Sequence, residues 1–159
     1  MRKRIVTSLL ILFLAMSASA EEKMRIALMD LQANGVTQDI ARTVSDLLRT
    51  ELFKTKWFIV LERSEIEKIL KEQGLQQTGL TEVESAVKVG KLLSAKKVLV
   101  GSVNKLAGSY IINARIIDVE SGAVEYAETT KVASEAELDI GTKTFATLLA
   151  NRINGTADK

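Results

Sequence analysis

Histidine and cysteine are both absent from the 159 residues, which removes the commonest general base and the thiol nucleophile together. The nitrogen and sulfur ligands that dominate zinc sites go with them. Any reaction would have to run on carboxylates, lysine or serine. Asp30, Glu62 and Arg63 are the groups best placed for it. They lie just past the ends of two short apolar runs, and open α/β sheets hold ligands outside the carboxyl ends of their strands. Together they could serve a carboxylate-dependent hydrolase or hold a small ligand. The competing reading is structural: Arg63 pairs with a carboxylate, and the three groups tie strand ends to helix starts. Ser94-Ala95-Lys96-Lys97 has the Ser-x-x-Lys spacing of penicillin-recognising acyl enzymes. In those enzymes the serine opens a helix so that the lysine faces it one turn on, whereas here it closes one. Gly74 and Gly79 are not followed by Lys-Ser or Lys-Thr, and no G-x-G-x-x-G occurs, so the glycine-rich phosphate cradles are missing too. The residues predict no catalytic site, no metal site and no cofactor.

Two other places suit contact with a partner. Gln76, Gln77 and Thr78 make a polar, uncharged tip between two predicted helices, and exposed loops held by rigid elements often carry binding residues. Trp57 follows Lys54 and Lys56 and faces opposite to Phe58 and Val60 on a short strand, which sets one of the two aromatics towards solvent. Asn154-Gly155-Thr156 matches a glycosylation acceptor in the terminal tail and reads as accidental.

The elements that must hold these groups follow from periodicity. Met24 to Asp30 reads as a buried strand and Gln32 to Gly35 as a loop. Ile40, Val44, Leu47, Leu48 and Leu52 recur at helical spacing, with Asp39 near the start and Lys54 near the end, as the helix dipole favours. Trp57 to Leu61 is a second strand. Ser64-x-x-Glu67 has the form of a capping box, opening a helix that runs to Gln73 and stops at Gly74. Thr81-x-x-Glu84 repeats the box before Val83, Ala86, Val87, Gly90 and Leu93. Lys97 to Lys105, Tyr110 to Val119 and Val124 to Val132 are β-branched runs separated by Ala107-Gly108 and Ser121-Gly122, which predicts an antiparallel meander. Ser134-x-x-Glu137 then opens a last helix. The order β-α-β-α-α-β-β-β-α predicts an α/β fold: a mixed sheet of about five strands with helices packed on it, the first two strands parallel through a right-handed crossover.

Residues 1–20 have the three zones of an export signal: Arg2-Lys3-Arg4, the apolar run from Ile5 to Met16, and Ser17-Ala18-Ser19-Ala20. Cleavage after Ala20 leaves a single domain over 21–159, periplasmic and soluble. Of the 22 basic residues three lie in the leader, so the remainder nearly balances the 20 acidic ones. With no block of like charge, nucleic acid is not an expected partner. No later segment is long and apolar enough to span a bilayer as a helix, and without cysteine there is neither a lipoprotein anchor nor a disulfide.

The segments MRIALMDL, RTELFKTKWFIVLERSEIEKILKEQGLQQTG, VGKLLSAKKVLVGSV and INARIIDVESGAV together resemble the curli secretion channel (CsgG) family. That family also takes in the penicillin-binding-protein activator LpoB and is similar to the N-terminal domain of TolB. The resemblance implies an α/β envelope domain whose members export curli subunits or activate peptidoglycan synthases through protein contacts. Two features of the pattern are missing here: the lipoprotein cysteine, and the long amphipathic hairpins from which channel members build a barrel. Where those hairpins would be inserted the chain has only Leu106 to Ser109 and Val132 to Glu137, and a membrane strand needs about 9 to 11 residues. The expected function is a non-enzymatic periplasmic accessory protein that binds envelope proteins, or further copies of itself, in surface-structure assembly or secretion. The alternatives are an activator of peptidoglycan synthases and, from a different class, the carboxylate-dependent hydrolase or small-ligand binder above.

Overall fold

The computed structural model describes residues 23–75 and 83–155. The leader, the Gln76-Gln77-Thr78 tip, Thr81 of the second capping box and Thr156 of the acceptor triplet lie outside the described residues.

Met24–Leu28 forms strand β1, where Ile26, Ala27 and Leu28 are fully buried, as an apolar run covered on both sheet faces requires. β2 (Gln32–Asn34) follows it, then helix α1 (Gln38–Lys54) and β3 (Phe58–Val60). Helices α2 (Arg63–Glu72) and α3 (Val83–Leu92) lead to the long strands β4 (Lys97–Leu106), β5 (Ser109–Asp118) and β6 (Val124–Val132). A single 3-10 turn at Glu135–Glu137 runs into α4 (Leu138–Ile153).

The sheet has six strands in the order β3-β1-β4-β5-β6, with β2 beside the outer half of β4. β1 is parallel to β3 and to β4, while β4, β5 and β6 form the antiparallel meander. The sixth strand corrects the expectation of a plain loop at Gln32 to Gly35. β4 is ten residues long and β1 only five, so β1 ends opposite Leu99. The chain beyond it returns to pair Gln32, Ala33 and Asn34 with Ser102, Val103 and Asn104. Nothing in the composition of Gln32-Ala33-Asn34 marks a strand; the open edge of β4 recruits it.

The two sheet faces are covered differently. On one, α1 and α4 close a core that holds Ile26, Leu28, Leu48, Leu52, Ile112, Ile116, Phe145 and Leu149. On the other, α2 and α3 carry the chain back from β3 to β4 and bury Met29, Ile66, Leu70, Val89, Val98 and Ile117. Beyond the reach of α2 and α3 the second face is polar and only partly covered. There Asn34 Nδ2 donates to Asn104 Oδ1 at 2.8 Å and Asn104 Nδ2 to Ser102 Oγ at 2.9 Å, while Thr129 Oγ1 donates to Asn113 Oδ1 at 2.8 Å. Among the described residues no helix is long and apolar enough to cross a membrane.

Capping is where local sequence misleads. Thr37 caps α1, its Oγ1 accepting from the Ile40 N–H at 3.3 Å. The Ser64-x-x-Glu67 box does not form: α2 begins two residues earlier than the box implies, with Glu62 at the cap position and Ser64 already inside the first turn. Glu67 is engaged instead by Arg63, whose Nε donates to it at 2.8 Å. Ser134 likewise caps no backbone amide; its Oγ donates to Glu137 Oε1 at 3.0 Å across the 3-10 turn.

Candidate functional site

Asp30 is the first polar residue after β1 and is buried, as is Arg49 on α1. Arg63, at the start of α2, bonds Asp30 Oδ2 directly, and Arg49 Nη2 stands 3.6 Å from Oδ1 while donating to the Leu28 carbonyl at 3.0 Å. Asp46 takes Arg49 Nη1 at 2.5 Å and lies 3.6 Å from Arg63 Nη1. The network fastens the end of β1 to α1 on one side and to α2 on the other. Burial pushes the Asp30 carboxyl up, and the charges of Arg63 and then Arg49 pull it back. For Arg63, burial opposes the charge, but the hydrogen bond to Glu67 and the charges of Asp30 and Asp46 outweigh it and raise its pKa.

Of the three groups that the sequence places at strand ends, the fold brings together Asp30 and Arg63. Glu62 is exposed and makes no side-chain cap. Asp30 is bonded by Arg63 and faces Arg49, and among the described residues no serine or lysine side chain is bonded to it to serve as a nucleophile. Lys97, from the Ser-x-x-Lys match, donates to Asp118 Oδ2 at 2.8 Å and to Glu125 Oε1 at 2.5 Å. Ser94 sits exposed in a left-handed turn (φ 51°) after α3. Among the described residues no group of three or more Asp or Glu side chains is gathered so as to hold a metal ion.

Trp57 is 41% exposed and stands edge-on to the buried Phe58, ring centres 6.3 Å apart. Phe53, at the last turn of α1, is 52% exposed, and the Lys56 ammonium lies over its ring at 4.1 Å. Lys54 and Lys56 thus flank two exposed aromatics at the corner where α1 gives way to β3.

A second feature went unread in the sequence. Between the N-terminal half of α1 and the start of α4 lies an open cleft of about 330 Å³. Ile40, Val44, Leu47 and Leu138 make its floor, and Asp39, Glu135 and Asp139 its rim. No local signal marks it, because the apolar positions read as helix core and the three acids meet only when α4 packs beside α1. Its chemistry is that of a contact surface, apolar within and negative at the edge.

The comparisons agree with this fold. The LpoB C-terminal domain from Salmonella enterica superposes with a TM-score of 0.60 at 13% identity, over 77% of this chain and 92% of that one. A lipoprotein from Neisseria meningitidis gives 0.61 at 14% identity, over 85% of this chain and 97% of that one. TolB from Acinetobacter baumannii gives 0.53 at 12% identity, over 87% of this chain but 29% of TolB. No curated protein matches the chain by sequence. A family model, "Curli production assembly/transport component CsgG", matches residues 11–110, more than half of the 159 residues, and the chain therefore belongs to the CsgG family.

Proposed function

We propose that this chain is a non-enzymatic accessory protein of the periplasm that binds other proteins in envelope or surface-structure assembly or secretion, exported by residues 1–20 as a cleaved leader. The observation that carries the reading is the acid-rimmed apolar cleft between α1 and α4. A concave apolar surface with a few charges at its edge suits an inserted side chain of another protein. Asp30, the one buried carboxylate among the described residues, is meanwhile paired internally with Arg63 and Arg49.

Photo-crosslinking residues at Thr43 and Leu47, in the cleft, and at Lys68, on the far side of the sheet, test it in the native periplasm. Adducts with envelope proteins are expected from the cleft positions alone. An Asp30→Asn variant that keeps its melting curve but loses biological activity would instead favour the small-ligand or hydrolase reading. Intact mass of the exported protein should place its N-terminus at Glu21; retention of Met1 to Ala20 in membrane-bound material overturns the soluble assignment.

A further inference from the structure

We propose that the end of the molecule at which β1, β3 and β4 begin is a membrane-facing surface, which rests on an anionic phospholipid bilayer without spanning it. The parallel registers set Met24 beside Phe58 and Ile26 beside Lys97, and the Lys96 N–H donates to the Arg25 carbonyl at 2.9 Å. The segments that lead into these strands therefore gather at one end: Lys23 before β1, Lys54 to Trp57 between α1 and β3, and Lys91 to Lys96 between α3 and β4. The β5–β6 turn joins them, because Asp118 lies opposite Lys97 and Val124 opposite Ile117.

Two kinds of side chain are concentrated there. Of the seven large hydrophobic residues exposed among the described residues, four belong to this end: Phe53, Trp57, Leu92 and Val124. Lys23, Lys54, Lys56, Lys91 and Lys96 are exposed around them. Glu51 is held by Lys54, and Asp118 and Glu125 by Lys97, whereas Lys23, Lys56, Lys91 and Lys96 have no carboxylate partner among the described residues. Met24, Lys91, Lys96 and Glu120 line a shallow hollow of about 290 Å³, where a headgroup phosphate would meet two ammonium groups. Tryptophan and lysine together suit the boundary between water and lipid. The indole sits among the headgroups, and the lysine stem lies along apolar surface while its ammonium stays in the polar layer. Connectivity selects a bilayer over an acidic protein as the partner. Residues 1–20, read as the export leader, join β1 at this same end, and the four residues from Ala20 to Met24 span at most about 14 Å. The surface thus faces the membrane from the moment the domain folds behind its leader, and the exposed lysines and aromatics give it a means of staying there after cleavage.

Trp57 is the only tryptophan of the chain, so its fluorescence reads the contact directly. Purified exported protein mixed with vesicles of phosphatidylethanolamine and phosphatidylglycerol should sediment with them and shift its emission to shorter wavelength. Vesicles of phosphatidylcholine alone should hold it more weakly. Lys56→Glu combined with Lys96→Glu should cost about 25-fold or more in affinity, since each lysine near an anionic surface contributes about fivefold. Both positions are exposed, so the melting curve should stay close to wild type; Lys54→Glu with Lys91→Glu takes their place if that variant melts early. Lys105→Glu with Lys131→Glu makes the same change of charge at the other end of the sheet, where these residues pair with Tyr110 and Ile111, and should bind nearly as wild type does. Trp57→Ala, followed by sedimentation, should bind more weakly. Wild type that ignores the anionic vesicles or prefers neutral ones, equal losses in the two charge-reversed pairs, or wild-type binding by Trp57→Ala overturns the proposal.

Discussion

Asp30 and Asp118 are both carboxylates held by cations, yet they depend on pH in opposite senses. Asp30 lies between Arg63 and Arg49 with 6% of its side chain exposed, so Asp30→Asn leaves the buried Arg49 with the half-exposed Asp46 as its remaining carboxylate among the described residues. Breaking a buried pair this way costs on the order of 3 to 5 kcal/mol, and the loss should show as a lower melting temperature. Glu62→Gln, at an exposed position outside the network, should shift the melt by no more than about 0.5 kcal/mol. Asp118 is held well below the usual carboxylate range by Lys97 first, then by the backbone N–H and hydroxyl of Ser121. A depressed carboxyl stabilises the fold above its unfolded pKa, and that contribution is lost as pH falls through the folded value. The melting difference between wild type and Asp118→Asn should therefore be full at neutral pH and shrink below about pH 4. Asp30, pushed up by burial, runs the other way: its titration favours the fold at low pH, and that gain is lost as pH rises through the raised value.

Close approach between elements depends on residues without side chains. Gly141, in the first turn of α4, lies against Val132 at the end of β6, and a Cβ there would run into the valine Cγ2. Gly101 of β4 is tighter still, because its Cβ would meet the Asn113 backbone oxygen, which cannot rotate away. Gly141→Ala should destabilise by about 1 to 3 kcal/mol, the usual cost of overpacking. Adding Val132→Ala opens the space again, so the double variant should be more stable than the two separate losses predict, with a coupling of about 0.5 kcal/mol or more in denaturant melts. A strictly additive cycle would mean that α4 shifts freely on β6. The cleft should respond to the same change, since α4 supplies Leu138 and Asp139 to it.

At the scale of the whole molecule, every described strand already pairs within one sheet, whose first face is filled by α1 and α4. A pore would need strands closed on themselves with an apolar band facing lipid, because unpaired backbone groups are not tolerated in hydrocarbon. The two connections where channel members insert barrel hairpins are short: β4 passes to β5 through Ala107-Gly108, and β6 passes through Ala133-Ser134 into the 3-10 turn. Exported protein added to liposomes and planar bilayers should leave them sealed, and discrete conductance steps would return channel formation to this member of the family.

Sequence alone determined the elements whose cause is local. Helical spacing from Ile40 to Leu52, the β-branched runs from Lys97 to Val132 and the glycine turns between them suffice for the α/β order and the antiparallel meander. The pairing of Arg63 with a carboxylate was also legible, since a cation and an acid at adjacent strand ends have few other partners. Only the tertiary structure decided the rest, and in each case distant residues compete with local ones. The Asp30 pair and the burial of Leu61 start α2 at Arg63, against the Ser64 box; the surplus length of β4 turns Gln32-Ala33-Asn34 into a strand; Asp39, Glu135 and Asp139 become one rim only because α4 lies beside α1. Capping and patterning act over a few residues and are written in them, whereas a cleft is set by the packing of elements, to which the pattern of either helix alone is blind.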